Sequence, residues 1–224
     1  MSEKIIAYKA MNPDMTCRGK KYEVGKTYFE DKADCCNAGM HACENPFEVL
    51  RYYPMKDNPR FFEVECGGEI SKSDKGSKLA CTELTVKGEL NFAGMLKATL
   101  DAVFRRVKDK EPFSSGDSST AGTSGNYSTA GTSGYSSTAG TSGYYSTAAA
   151  TGPYCRAKAE GNNSIAVANG YKSKVKGSVG CYLVLTEYDD DGNFLCADLK
   201  FVDGISIKAD TWYMLKDGLA VESE

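Results

Sequence analysis

Seven consecutive nine-residue blocks constrain what this chain can fold into. They begin as DSSTAGTSG from Asp117, NYSTAGTSG from Asn126, YSSTAGTSG from Tyr135 and YYSTAAATG from Tyr144. The phase then holds through PYCRAKAEG from Pro153, NNSIAVANG from Asn162 and YKSKVKGSV from Tyr171, where the low complexity has ended. A flexible linker has no reason to keep its register once its composition changes, so the blocks read as a structural repeat. Position 3 is Ser except at Cys155, position 5 is Ala until Val175, and position 7 passes from Thr through Ala to Gly177. Side chains alternate along a strand, so positions 3, 5 and 7 share one face and line an interior. Positions 4 and 6 then face outward, and Gly at position 9 with Tyr, Asn or Pro at positions 1 and 2 makes a corner.

Each nonamer is thus one strand and one turn. Nine residues cannot close a coil, so two nonamers form a coil of eighteen with two parallel sheets. In that register Arg156 lies beneath Lys174 and Lys158 beneath Lys176, an outward basic patch. The other sheet presents Thr129, Thr147 and Ile165 in one outward column and Gly131, Ala149 and Val167 in the next. Apolar outward residues need cover. Thr147, Ile165 and Val167 are therefore the candidate interface, and a homo-oligomer such as a trimer is expected. The Thr residues raise a surface-recognition reading, including ice binding, but position 7 is expected to point inward. Calcium-binding nonamers carry Asp in the turn, and only Asp117 is available here.

Solenoid ends need capping. NFAGMLKATLDAVFRRVKDKEP places Phe92, Leu96, Leu100, Val103 and Val107 on one helical stripe, with Lys97, Asp101 and Arg105 opposite and Pro112 as the stop. After the repeats, alternating strands flank Asp-Gly turns at Asp191-Gly192 and Asp217-Gly218, with Trp212 in the last element. Before them, KIIAYKA, RFFEVECGG and KLACTELTV read as strands. Asn45, Pro46 and Glu48 carry helix-start chemistry, and Pro54 ends that helix. The expected fold class is an α+β N-terminal domain (1–90), a capping helix (91–112), a parallel β-solenoid with two nonamers per coil (113–180) and a β-hairpin cap (181–224).

A formal net charge of -3 gives no global argument for nucleic acid, and no apolar run has the length of a membrane helix. MSEKIIAYKA lacks the apolar centre of a secretion signal, which points to the cytoplasm of a host cell or to a virion. Nine cysteines include the cluster Cys35, Cys36, His41 and Cys43. Its spacing fits no zinc-binding pair, and small buried hydrophobes are the simpler reading. No metal and no cofactor is expected.

The segments YKAMNPDMTCRGKKYEVGKTY, GMHACENPFEVLRYYP and FFEVECGGEI, followed by Ser-x-Ala nonamers, resemble an uncharacterised family of bacteriophage and prophage proteins. NNSIAVANG also resembles the head repeats of trimeric bacterial adhesins, which form β-rolls. A strand ending Tyr8-Lys9-Ala10, then GMHAC, then RFFEVE is similar in order to ADP-ribosyltransferase-like domains. That likeness implies an NAD cleft with His41 on the nicotinamide side and Glu63 or Glu65 as the acid. The chain lacks that family's Ser-Thr-Ser and a late Glu-x-Glu.

These readings place chemistry in residues 1–90, with Tyr8, Arg18, His41 and Glu63 as candidate ligand-binding residues. The first functional expectation is a non-catalytic, phage-type accessory protein. Its solenoid would be a rigid spacer or assembly element, and its partner a host or phage protein or a small anionic ligand. The alternative is an NAD-binding, transferase-like N-terminal domain.

Overall fold

The computed structural model of the chain describes residues 4–74, 76–109 and 113–224, with helix residues 104–109 described as backbone. It divides into two compact units, Met1–Ala102 and Val103–Glu224.

The first unit contains β1 (Ile5–Met11), β2 (Thr16–Cys17), β3 (Lys20–Lys21), β4 (Thr27–Phe29), β5 (Met40–Cys43), β6 (Arg60–Lys72), β7 (Lys78–Leu90) and the start of α1 (Phe92–Asp109). Its main sheet is antiparallel and closes on itself. β1 runs along β6 from Ile5↔Cys66 to Met11↔Arg60, β6 and β7 form a long hairpin, and β7 pairs with β5. The ring is completed by a single β1–β5 pair, Tyr8↔Cys43. Period-two alternation in RFFEVEC sends Phe62, Val64 and Cys66 inward, where they join Ala7, Met11, Met40, Leu79, Leu84 and Val86.

The α+β description is corrected to a sheet-rich unit with few helical residues. The helix expected after Asn45 is a 3₁₀ turn, Pro46–Arg51, and Asn45 makes no side-chain capping bond. Glu48 is only 6% exposed and its carboxylate accepts the Ser77 N–H at 2.9 Å. Its side chain is therefore committed to the β6–β7 turn and not to a capping box. In α1, Asn91 Oδ1 caps the Gly94 N–H at 2.8 Å, and Met95, Leu96, Thr99, Leu100, Ala102 and Val103 are buried. Arg105, Val107 and the expected stop at Pro112 lie outside the residues or side chains described.

The second unit is a β-solenoid. Its four turns are built from β8 (Phe113–Ser115), β9 (Thr120–Thr123), β10 (Thr129–Ser133), β11 (Thr138–Thr141), β12 (Thr147–Thr151), β13 (Arg156–Ala159), β14 (Ile165–Asn169) and β15 (Lys174–Gly177). Alternate strands stack in parallel with the eighteen-residue register: Thr129↔Thr147↔Ile165 on one sheet, Arg156↔Lys174 and Lys158↔Lys176 on the other. The sheets are extended by hairpins, one from β16 (Tyr182–Tyr188) and β17 (Phe194–Phe201), the other from β18 (Tyr213–Lys216) and β19 (Leu219–Glu222). Glu187 ties them together, accepting the N–H groups of Asp217 and Gly218 at 2.7 and 2.9 Å.

The interior holds the small residues of positions 3, 5 and 7, including Ser146, Ala148, Ala150, Cys155, Ala157 and Ala159. Serine has a specific task there. Ser146 Oγ donates to the Gly125 carbonyl at 2.9 Å and accepts the N–H of Ser128, one coil earlier, at 3.3 Å. A buried hydroxyl that is both donor and acceptor avoids the desolvation penalty of an orphaned polar group.

Two positions of the corner have positive φ, one of them position 9 at Gly134, Gly152 and Gly170, with φ of 133°, 122° and 156°. Position 2 is the other, at Ser118, Tyr127, Ser136, Tyr145, Tyr154, Asn163 and Lys172. The other position-9 glycines include two required by proximity alone. A Cβ on Gly161 would stand 2.0 Å from the Gly143 carbonyl oxygen, and one on Gly143 2.0 Å from that of Gly125. Gly161→Ala should therefore destabilise the solenoid by roughly 1–3 kcal/mol or more. Ser136→Gly, which relieves a left-handed conformation, should leave stability unchanged or raise it. Denaturant unfolding of the two variants beside the parent checks both.

Candidate functional site

The ring of strands in the first unit is weakest between β1 and β5. Beyond Tyr8↔Cys43 the two strands part, and a cavity of about 490 Å³ opens there. Its walls combine Lys9, Arg18, Lys20, Arg51 and Lys78 with Tyr8, Tyr22, Tyr52 and Tyr53, and with apolar Met40 and Val49. Glu30 is the one carboxylate among the lining residues, and it is held in an ion pair by Lys20.

Local sequence explains how the cations arrive. β1 alternates Ala7, Lys9, Met11 toward the interior, so Lys9 occupies an inward position in an otherwise apolar set. It is 4% exposed, donates from Nζ to the His41 carbonyl at 2.8 Å, and lies 5.2 Å from the Tyr22 ring centroid. No described carboxylate pairs with it. Arg18 and Gly19 have φ of 51° and 78° and form the two-residue turn between β2 and β3, which presents Arg18 at its tip. Lys78 Nζ lies 4.4 Å from the Tyr52 ring centroid. Tyrosine faces hold Lys9 and Lys78 in place without neutralising them.

His41 is a structural member of this wall. Its Nε2 accepts the Cys36 N–H at 3.0 Å, which puts the ring proton on Nδ1. Burial, reinforced by the charges of Lys78, Arg18 and Lys9, lowers its pKa to about 4. The imidazole is neutral, and its lone-pair nitrogen, Nε2, is already engaged.

Of the four ligand-binding candidates from sequence, Tyr8, Arg18 and His41 line the cavity and Glu63 does not. Glu63 pairs with Tyr8 in the β1–β6 register but is not among the lining residues. Lys9, Lys20, Arg51, Tyr52 and Lys78 were not singled out from sequence. For Lys9 the signal was present, as a lysine at an inward position of an apolar alternation.

The candidate interface is corrected. Thr147, Ile165 and Val167 are 3%, 5% and 0% exposed in the single chain, so the chain itself covers them. The basic patch has the expected neighbours but is internally engaged. Lys158 pairs with Glu160, Lys174 donates to the Glu224 carbonyl, and Arg156 and Lys176 lie 5.7 and 5.0 Å from the Trp212 ring. Position 7 is interior, with Thr132 and Thr141 buried, which removes the basis for an outward Thr grid there. Among the described residues no group of three or more His, Cys, Asp or Glu is placed to hold a metal, and no helix is long and apolar enough to cross a membrane.

Residues 5–98 match a family described as a domain of unknown function (DUF7666). That span is less than half of the chain, yet it includes every residue lining the cavity and none of the nonamers. No curated protein and no solved structure matches the chain.

The lowered pKa of His41 makes stability depend on pH with a definite sign. Between about 4 and the unfolded value near 6.5 the unfolded chain binds a proton that the folded chain does not. Stability from this group is thus complete above about pH 6.5 and is lost as pH falls toward 4. His41→Gln should reduce the loss of stability between pH 7 and pH 4.5 relative to the parent, measured by denaturant midpoints at both values.

Proposed function

We infer that the N-terminal unit is a non-catalytic binding module for a small anionic ligand, and that the solenoid is a rigid element with no chemistry of its own. The observation that carries this reading is the Lys9 ammonium, buried at the cavity wall with a carbonyl and a tyrosine face as partners and no carboxylate. A buried cation without a counter-ion is costly, and an anionic ligand would relieve that cost. Arg18 and Lys78 extend the same field, and the volume lies in the range of small-molecule sites.

The transferase alternative has less support. It needs an acid beside His41, but Glu63 is outside the lining and Glu30 is engaged by Lys20. A general base also needs a free lone pair, and that of His41 Nε2 accepts the Cys36 N–H. The expected setting, a phage protein that sequesters a host component, would fit capture of a ligand without turnover.

Calorimetric titration with pyrophosphate, citrate and mononucleotides tests the module, with thermal shift as a second readout. At least one of these anions should bind and raise the Tm. Lys9→Met and Lys78→Ala should each weaken that binding by about tenfold or more, the scale of one lost charge-assisted contact. Absence of binding by every anion at millimolar concentration would overturn the reading.

A further inference from the structure

Cys35 and Cys36 occupy a tight loop closed by reciprocal backbone bonds between Asp34 and Ala38, at 3.0 and 2.8 Å. Gly39 seals the loop against β5 and its neighbours. It has φ of 86°, and a Cβ there would lie 2.9 Å from the Lys32 carbonyl oxygen. Within this loop the two sulfur atoms are 4.0 Å apart. Cys36 is exposed and Cys35 half-buried, whereas Cys17, Cys43, Cys66, Cys81, Cys155 and Cys181 are buried, and the half-buried Cys196 donates to Glu187. This pair is therefore the one in which accessible thiols lie beside each other among the described residues. Cys36 is also in the left-handed region, with φ of 79°. Its amide donates to His41 Nε2, so the loop backbone and the cavity wall share one hydrogen bond.

We propose that Cys35 and Cys36 form a redox site that takes a low-molecular-weight disulfide such as glutathione disulfide and closes to a vicinal disulfide, changing the cavity wall through His41. The Cys36 thiolate attacks one sulfur of the small disulfide, giving a mixed disulfide and releasing one thiol. Cys35 then loses its proton and attacks the Cys36 sulfur, releasing the second thiol. The protein gives up two electrons and two protons, and the small disulfide is reduced to two thiols.

The ring is strained. Bonding shortens the sulfur separation from 4.0 Å to about 2.05 Å, across Cα atoms about 3.8 Å apart, less than the usual span of a disulfide. Strained, accessible disulfides are the readily reduced ones, which suits a reversible switch better than a structural bond. The strain falls on the peptide that joins the two cysteines, and the N–H of that peptide is the one that holds His41 Nε2. Closure breaks this bond and frees the ring nitrogen at the cavity.

The proposal does not depend on the identity of any cavity ligand. Full-length protein is equilibrated in glutathione buffers, its thiols are counted by alkylation and mass spectrometry, and His41 is titrated by NMR, which is simple because it is the only histidine. Oxidation should leave seven of the nine thiols alkylatable with no glutathione attached, reversed by dithiothreitol. The His41 pKa should rise from about 4 toward 6.5, because the N–H that favours the neutral ring is lost. Cys35→Ser should instead accumulate one glutathione adduct on Cys36. Retention of all nine thiols, separate glutathione adducts on both cysteines, or closure with an unchanged His41 titration would each overturn it.

Discussion

Every strand backbone needs a partner along its edges, and the two units meet that requirement in different ways. The solenoid stacks each coil on the one before, so that inner coils are paired on both sides, and ends in hairpins. The N-terminal unit bends its sheet into a ring, with β6 and β7 long enough to reach round. The ring closes imperfectly, at Tyr8↔Cys43 alone. The cavity is the remainder of that closure, the place where two strands diverge and side chains replace ladder bonds. Lys9 reaching the His41 carbonyl is one such replacement.

The same requirement explains the bland composition of the repeats. With a core made of Ser, Ala and Thr, apolar burial per residue is small, and the coils must approach closely for their ladders to form. Close approach excludes a Cβ at Gly143 and Gly161, and it leaves room inside only for small side chains. Serine then satisfies backbone groups at the corner that the strands cannot reach, as Ser164 Oγ does for the Gly143 carbonyl at 2.8 Å. Half-buried tyrosines at the corners stack on one another between coils, as Tyr127 and Tyr145 do at 5.3 Å, and add contact area the interior lacks.

The repeat, its eighteen-residue register and the inward positions were legible because each residue's role recurs with the period. Arg156 over Lys174 follows from counting alone. The interface expected at Ile165 and Val167 failed because periodicity says which side chains leave the solenoid but not what the rest of the chain lays over them. The helix after Asn45 failed because Glu48 had a better partner at Ser77, remote in sequence, than its own helix end. Of the four candidates named from sequence, Tyr8, Arg18 and His41 line the cavity and Glu63 does not. The clustering of Lys9, Arg51 and Lys78 was not legible, since they come from β1, a 3₁₀ turn and β7, and only the closed ring brings them together.

A chain of net charge -3 that gathers five cations around one small space has concentrated a field there, while several carboxylates are spent on surface pairs such as Glu65 with Lys4 and Glu89 with Arg60. The means of holding those cations matters. Had Lys9 and Lys78 been placed by carboxylates, the field would be cancelled where it is made. Aromatic faces position the charge and leave it unpaired, which is the arrangement a site for an anion requires. The same wall holds His41 neutral, with its Nε2 engaged by the Cys36 N–H. That distribution of charge is the ground on which we propose an anion as the cavity's ligand.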